Sequence, residues 1–520
     1  MRTDTGNAER FAEQHYARLK HCAEWKTWSV YDGCRWTRDR DGEVMRLAKI
    51  TVRRIYDEVS TLEDVDERSA HSKHAHRSES ARAVKAMLEL AQSDPRIAIV
   101  PEAFDADPTR YLLNVLNGTL DLRTFRLRPH RPDDFITKLA PGKYVPGKRS
   151  ELWESVVGRA LPDTEVRAFA QRFFGSCLTA DSRDERVIVA YGAGANSKTT
   201  IQNAVRGVLG DYAHQASFET FLEATGRSDR RGGPRSDLMA LQGKRFISAS
   251  EPGEGRRLNE NMIKLFTGGE GTTARGLWDR SEINFATEGK LFLVANHRPE
   301  VRGMDEAVWR RLLELPFTVT IPEGERDPKL KDRLAEPQEM SGILNWLLEG
   351  CRDWQSVALD RLRPPESVVV ATRVYRQSQD RIGPFLADRC AFGADRWASS
   401  KSLREAYADW CTRSGEEPLQ FGRITARLGE LGCTAAKNPD TADRSRTRGW
   451  TGVALKSATT PNADAADSAD SADTGNTDFS LAPSHEGSLW ESVSAVSACP
   501  QDPFVDDPDP GPGDAGECAT

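Results

Sequence analysis

Residues 192–199 read Gly-Ala-Gly-Ala-Asn-Ser-Lys-Thr, a run whose residue types could cradle a phosphate. Gly192 and Gly194 allow the backbone to curl until its N–H groups point inward at phosphate oxygens. A helix starting just after the loop adds partial positive charge. Lys198 is placed to hold the β- and γ-phosphates as a point charge, and Thr199 can ligate Mg²⁺. The candidate nucleotide site is Gly192, Ala193, Gly194, Ala195, Asn196, Ser197, Lys198, Thr199 and Thr200. One position departs from G-x-x-x-x-G-K-[ST]: Ser197 stands where the second glycine belongs, and its Cβ predicts a strained φ and weakened nucleotide affinity. The bland alternative is an ordinary strand–turn–helix with an incidental lysine. A protein-kinase glycine loop fits poorly, because there the phosphate-pairing lysine lies on a separate strand.

A phosphate loop works only beside groups that hold the metal and orient water. Glu251, at the end of the run RFISAS, is the candidate water-polarising or metal-associated carboxylate. Two acids usually stand together there, but Ser250 precedes Glu251, so Asp237 is considered for the second. Asn296 closes the run KLFLVAN and could reach the γ-phosphate and the attacking water; a turn-forming Asn is the alternative. Arg310 and Arg311 offer an arginine that enters a neighbouring subunit's site, with Arg310 preferred; otherwise they are a solvated face. Lys264, Arg275 and Arg280, in IKLFTGGEGTTARGLWDRSEINF, are candidates for contact with a DNA phosphate backbone, against a plain surface loop.

These residues need elements to position them, and the sequence supplies candidates. RVIVAY (186–191) suits a buried central strand, and TIQNAVRGVLG continues from the loop with Ile201, Val205 and Val208 at helical spacing. Residues 245–250 and 289–296 read as two more buried strands, 304–317 contains a short helix, and ARGLWDRSEINF reads as a hairpin with Arg280 near its tip. The expected organisation is an α+β leader domain over 1–150, an α/β ATPase domain with a parallel central sheet over 151–360, a linker over 361–382, a small DNA-binding domain over 383–455 and a disordered acidic tail over 456–520. In the leader, NVLNGTLDL (114–122) reads as two strands about a tight Asn-Gly turn.

Composition narrows the class. The net charge of −7 splits into −13 for residues 457–520, which hold 13 Asp and Glu and no Lys or Arg, and +6 for residues 1–456. A basic body is compatible with nucleic acid. The tail, rich in Ala, Asp, Ser, Pro and Gly, lacks the apolar surface to offset ordering entropy. No apolar run approaches membrane-spanning length and the N-terminus lacks a signal peptide's apolar core, so a cytoplasmic protein is expected. The nine cysteines form no C-x-x-C and read as reduced, buried thiols. His71, His74 and His76 in HSKHAH lack ligand partners at metal spacing and read as a solvated loop.

Taken together, GAGANSKT, the Ser-Glu at 250–251, IKLFTGGEGTTARGLW, KLFLVANHRPEV and the arginine pair resemble the superfamily-three helicases of the phage and plasmid primase family, the poxvirus-type primase-helicase group. NVLNGTLDLRTFRLRPHRPDDFITKLAP and QRFFGSCLTAD are similar to that family's segment before the motor. The resemblance spans about residues 25–455. It implies a P-loop, AAA+-type core, a homo-hexameric ring, ATP with Mg²⁺, and 3′-to-5′ movement on single-stranded DNA in a bacterial host's cytoplasm. Family members often add a primase domain. The one D-h-D candidate, Asp64-Val65-Asp66, lacks a preceding apolar strand and reads as a solvated helix end or loop, so no primer synthesis is expected.

At the other end, KSLREAYADWCTRSG and QFGRITARLGELG read as amphipathic helices, and 433–455 as two strands around a basic loop. This is a winged-helix pattern, with Arg423 and Arg427 on the second helix and Arg444, Arg446 and Arg448 in the wing suited to replication-fork or origin DNA. A protein-docking module for other replication proteins is the alternative. For the whole chain the leading expectation is an ATP-dependent DNA helicase. The rivals are a DNA-binding initiator or loader that uses ATP as an assembly switch, and an RNA-directed NTPase.

Overall fold

The computed structural model describes residues 2–223, 235–250, 253, 255–268, 271–274, 283–301, 306–438 and 447–456, with backbone alone for 107–108, 271–274 and 283–286. The first hundred residues build a core of their own. Helix α1 (Asp4–His15) precedes three antiparallel strands, β1 (Leu19–Cys22), β2 (Thr27–Tyr31) and β3 (Trp36–Arg38). Helices α2 (Glu43–Ser60), α3 (Val65–Ser78) and α4 (Ala81–Ala91) follow, and β4 (Ala98–Ile99) returns parallel to β1. Phe11, Leu47, Ala48, Val52 and Met87 recur on single helix faces and meet in this core.

One sequence expectation changes here. The HSKHAH segment is helical, not a solvated loop: His71 and His74 are buried on α3, where His74 Nε2 pairs with Asn7 Oδ1 at 3.0 Å and His71 Nε2 with Glu58 Oε2 at 3.0 Å. These partners tie α3 to α1 and α2, and no metal-holding group of His, Cys, Asp or Glu occurs among the described residues. Asp64 is the N-cap of α3, accepting from the Glu67 N–H at 2.7 Å, and Val65 is exposed. The helix-end reading of 64–66 therefore matches.

The boundary expected at residue 150 does not divide the packing. Strands β5 (Leu112–Val115), β6 (Gly118–Asp121) and β7 (Arg126–Arg128) form an antiparallel meander whose Leu113, Val115, Leu120 and Leu122 belong to the same core as Ile188, Phe292 and Leu344. The hairpin turn is Leu116-Asn117, one residue earlier than the Asn-Gly pair suggests. Gly118 instead opens β6, where a Cβ would stand 2.5 Å from the Arg128 carbonyl oxygen.

Helices α5 (Glu151–Ala160) and α6 (Thr164–Ser176) lead to β8 (Val187–Tyr191), then α7 (Lys198–Leu209), β9 (Ala213–Gln215) and α8 (Ser236–Met239). Strand β10 (Phe246–Ser250), helix α9 (Glu260–Thr267) and the paired strands β11 (Gly271–Ala274) and β12 (Ile283–Ala286) come next. This hairpin lies where the sequence places one, although its tip is outside the described residues. Strand β13 (Lys290–Ala295), helix α10 (Glu306–Trp309) and strand β14 (Leu312–Pro316) complete a five-stranded, wholly parallel sheet in the order β14-β8-β13-β10-β9.

The sheet is covered on both faces, so its strands are apolar throughout. Ile188, Ala190, Phe292, Val294 and Leu315 face one core, beneath α5, α6, α7 and α12 (Pro337–Gln355), which follows the short α11 (Leu330–Leu334). Val187, Val189, Leu291, Leu293 and Leu312 alternate to the other face, beneath α9 and α10. Helices α6 and α12 approach at reciprocal glycines: a Cβ on Gly175 would stand 2.2 Å from Cys351 N, and one on Gly350 2.1 Å from Gln171 O.

Residues 361–382 are mostly helix rather than the expected linker. In α13 (Glu366–Gln379), Val368 and Tyr375 are buried, Tyr375 edge-on to Trp309 at 5.2 Å. The last module runs α14 (Gly383–Arg389), β15 (Cys390–Ser399), α15 (Ser400–Ser414), α16 (Phe421–Glu430), β16 (Thr434–Lys437) and β17 (Arg448–Leu455), with an antiparallel sheet ordered β15-β17-β16. Phe385, Leu403, Tyr407, Ile424, Leu428 and Val453 fill its core. Seven cysteines are free among the described residues. Among the described residues no helix is long and apolar enough to cross a membrane. The acidic tail lies outside the described residues.

Candidate functional site

The glycine-rich run leaves the carboxyl end of β8, an interior strand between β13 and β14, and enters α7. In parallel sheets ligands bind at this end, where successive connections depart to opposite sides. From β8 the chain goes out to the far edge at β9, works back through β10 and β13, and then passes β8 to reach β14.

The loop's shape follows from local constraints. Gly192 passes so close to the chain after β14 that a Cβ would stand 2.1 Å from the Phe317 carbonyl oxygen and 2.7 Å from Asn196 Nδ2. The Phe317 N–H donates to Tyr191 O at 2.7 Å, and the Ile321 N–H donates to Ala195 O at 2.8 Å. The buried Asn196 amide folds back onto the Ala193 carbonyl oxygen. Ala195 and Ser197 take φ of 59° and 65°, alternating left-handed turns that gather N–H groups on the concave side. Ser197 is therefore in the strained conformation that the missing glycine predicts, immediately ahead of α7.

Lys198, at 3 % exposure, opens α7 and points back into the loop. Its Nζ donates to Gly192 O at 2.5 Å and to Asn296 Oδ1 at 3.2 Å. Burial lowers its pKa to about 8. Thr199 is exposed at the same helix start. The alternating backbone, the open space around Gly194, where a Cβ would meet nothing within 4 Å, and the helix N-terminus suit a phosphate chain.

Asn296 follows directly on β13, whose Ala295 is paired with Tyr191 of β8, so strand register brings Asn296 beside the loop. Glu251 follows directly on β10 but lies outside the described residues. Asp237, the other acid considered, is held by Arg235 at 3.0 Å and accepts from Thr220 Oγ1 at 3.2 Å. Gln202, one turn into α7, was not foreseen. It donates to Ser248 Oγ at 2.9 Å and accepts from Ser250 Oγ at 3.3 Å, tying the loop's helix to the end of β10.

The two arginines diverge. Arg311 is buried and bonded to Glu185 at 2.9 Å and Ala307 O at 2.7 Å, which fastens the end of α10 ahead of β8. Arg310 has 59 % of its side chain exposed, with Glu185 3.8 Å away. A second pair in the same region was missed. Arg298, two residues past Asn296, makes a bidentate ion pair with Glu314 of β14 at 2.7 and 2.8 Å, and its guanidinium lies 4.4 Å from the Tyr191 ring centroid. A glutamate inside the apolar strand LLELP was the available signal, since a buried carboxylate needs a cation.

Of the candidate DNA contacts, Lys264 is partly buried on α9, while Arg275 and Arg280 lie outside the described residues. On α16, Arg423 is partly exposed, but Arg427 is engaged by Asp380 at 3.1 Å and Glu430 at 2.8 Å. Arg448 is exposed at the start of β17; Arg444 and Arg446 lie outside the described residues.

Residues 8–162 match the family described as "D5 N terminal like". A "Putative helicase" of Acanthamoeba polyphaga mimivirus is 27 % identical over 301 residues, covering 54 % of this chain and 31 % of that protein. A "Putative helicase" of Frog virus 3 is 24 % identical over 329 residues, 59 % of this chain and 31 % of that protein. A "Putative primase" of African swine fever virus is 23 % identical over 330 residues, 59 % of this chain and 34 % of that protein. The chain thus spans about a third of the length of these relatives. The solved NrS-1 C-terminal region aligns with 84 % of this chain and 96 % of its own at a TM-score of 0.44 and 9 % identity, too loose a likeness to define the fold. These relatives come from viruses of eukaryotes, so the bacterial host expected from the sequence is not supported. Residues 8–162 are thus similar to the D5 N-terminal-like family, and the chain is similar to helicase- and primase-named proteins of large DNA viruses.

Proposed function

We propose that this chain is an ATP-hydrolysing DNA motor, an AAA+-type helicase acting in the replication of viral or other mobile DNA. The observation that carries this reading is the buried Lys198 amine held at 3.2 Å from Asn296 Oδ1, at the carboxyl end of a covered parallel sheet. That pairing joins a group suited to the β- and γ-phosphates with one suited to the γ-phosphate and water. ATP would sit along the loop. Thr199 and Glu251 would hold Mg²⁺, whose charge offsets that developing on the transferred phosphoryl group. The exposed Arg310 supports a ring in which each subunit completes its neighbour's site; a homo-hexamer and 3′-to-5′ movement are what the family resemblance implies. In the last module, the order helix, strand, two helices, two strands supports the winged-helix reading. Because Arg427 is committed to Asp380 and Glu430, Arg423 and Arg448 are the described residues assigned to DNA phosphates there.

A second reading, an initiator or loader that uses ATP as an assembly switch, is favoured by one observation. Ser197 holds a left-handed φ of 65° where the motif wants glycine, a strain that can slow turnover without removing binding. Measuring ATP hydrolysis by the native chain and Lys198→Ala, with and without single-stranded DNA, separates the two. The motor gives DNA-stimulated hydrolysis that the substitution abolishes. Tight ATP binding with no stimulated hydrolysis selects the switch.

A further inference from the structure

Glu314 is 2 % exposed in the middle of β14, the strand flanking β8. A carboxylate so placed is costly unless a cation meets it squarely. Arg298 does so with two parallel N–H···O bonds of 2.7 and 2.8 Å. The same guanidinium lies 4.4 Å from the ring centroid of Tyr191, the last residue before Gly192, and 5.7 Å from that of Tyr375 on α13. Arg298 thus touches the strand that delivers the phosphate loop while standing two residues from Asn296.

Neighbouring contacts fix the rest of that segment. The Tyr375 hydroxyl donates to Pro299 O, the Val301 N–H donates to Gln379 Oε1 at 3.0 Å, and the Glu314 N–H donates to Thr372 Oγ1 at 2.9 Å. Asn296 and His297 are the two residues between Ala295, where strand pairing ends, and this anchor at Arg298. The planar, bidentate fork of Arg298 has one orientation that satisfies Glu314 and Tyr191 together. We infer that Arg298, clamped by Glu314 and stacked on Tyr191, is a positioning residue that sets Asn296 against Lys198 and the phosphate loop. It acts through Asn296 and touches no phosphate itself. This deepens the motor reading and rests on it.

Removing one partner would strand a buried charge, so single substitutions risk the fold. The decisive variant is the double change Arg298→Met with Glu314→Leu, which removes both charges while conserving bulk. Arg298→Lys serves beside it, keeping charge but losing the fork and the stack. The expected result is a cooperative melt near that of the native chain and an unchanged Kd for a fluorescent ATP analogue. With these, DNA-stimulated kcat falls by about tenfold or more, because a small misplacement of a water-orienting group slows chemistry without weakening binding. Adding Asn296→Ala to the double variant should cost little more. A folded double variant with native kcat would overturn the positioning role while leaving the motor reading intact. An equal loss of kcat and nucleotide binding would also overturn it. A native chain that hydrolyses no ATP under any DNA condition would end both.

Discussion

Lys198 Nζ donates to Asn296 Oδ1 at 3.2 Å, across 98 residues of chain. The contact exists because β8 and β13 are paired in register, with Val294 opposite Ala190 and Ala295 opposite Tyr191, so both strands end at the same level. A lysine at the start of a helix and an asparagine at the end of a strand thereby share one crevice. Each accounts for the other's placement: the amine finds an acceptor where burial has removed water, and the amide is turned toward the loop.

ATP binding should depend on pH through Lys198. Burial lowers the Lys198 pKa to about 8, whereas phosphate binds its charged form. Below that value the amine of the free protein is protonated and this group makes no demand on binding. Above it, nucleotide must recruit a proton, so affinity falls by up to about tenfold per pH unit. ATP affinity measured by titration calorimetry should therefore be flat on the acid side of 8 and decline on the alkaline side. Lys198→Ala should bind weakly and lose this inflection. An inflection that survives in the variant would assign the titration to another group.

Ser197 yields a prediction of gain. A serine at φ 65° carries a strain that glycine does not. Ser197→Gly should raise stability by about 1 kcal/mol in thermal melts and should strengthen ATP binding. A lowered melting temperature would show that the side chain contributes something its strain does not reveal.

Gly192 makes the opposite case. A Cβ there would stand 2.1 Å from Phe317 O and 2.7 Å from Asn196 Nδ2. Gly192→Ala should cost about 1–3 kcal/mol and displace the loop. The checks are the denaturant midpoint together with ATP binding. Retention of both would mean that the chain after β14 yields more easily than its bonds to Tyr191 and Ala195 imply.

The arginine pair separates structure from assembly. Arg311→Ala removes a buried guanidinium bonded to Glu185 and should lower the melting temperature. Arg310→Ala, at a side chain 59 % exposed, should leave the melt unchanged and reduce hydrolysis. Mixing Arg310→Ala with Lys198→Ala subunits should restore part of the activity, since each supplies what the other lacks. No recovery on mixing would remove Arg310 from the neighbour's site.

The parallel sheet and its glycine-rich loop were largely legible in the sequence because their signals are local. RVIVAY and KLFLVA are short apolar runs that suit strands covered on both faces, and the loop's glycines and Lys198 are adjacent in the chain. Less local features were missed. Strand β15 carries a bulge between Phe392 and Trp397, which breaks the alternation that would mark it. His71 and His74 look like a polar loop until Glu58 and Asn7 arrive from other helices. Val368 and Tyr375 are too few to announce α13, which gains its place from Trp309 and β14. The Arg298–Glu314 pair depends on strand order, which no stretch of sequence states.

Strand displacement by the native chain decides whether it moves on DNA. Duplexes with a single-stranded overhang of either polarity are presented with ATP and Mg²⁺, with Lys198→Ala as the control. The predicted result is ATP-dependent unwinding from a 3′ overhang that the substitution abolishes. ATP binding with no displacement of either substrate would contradict the account.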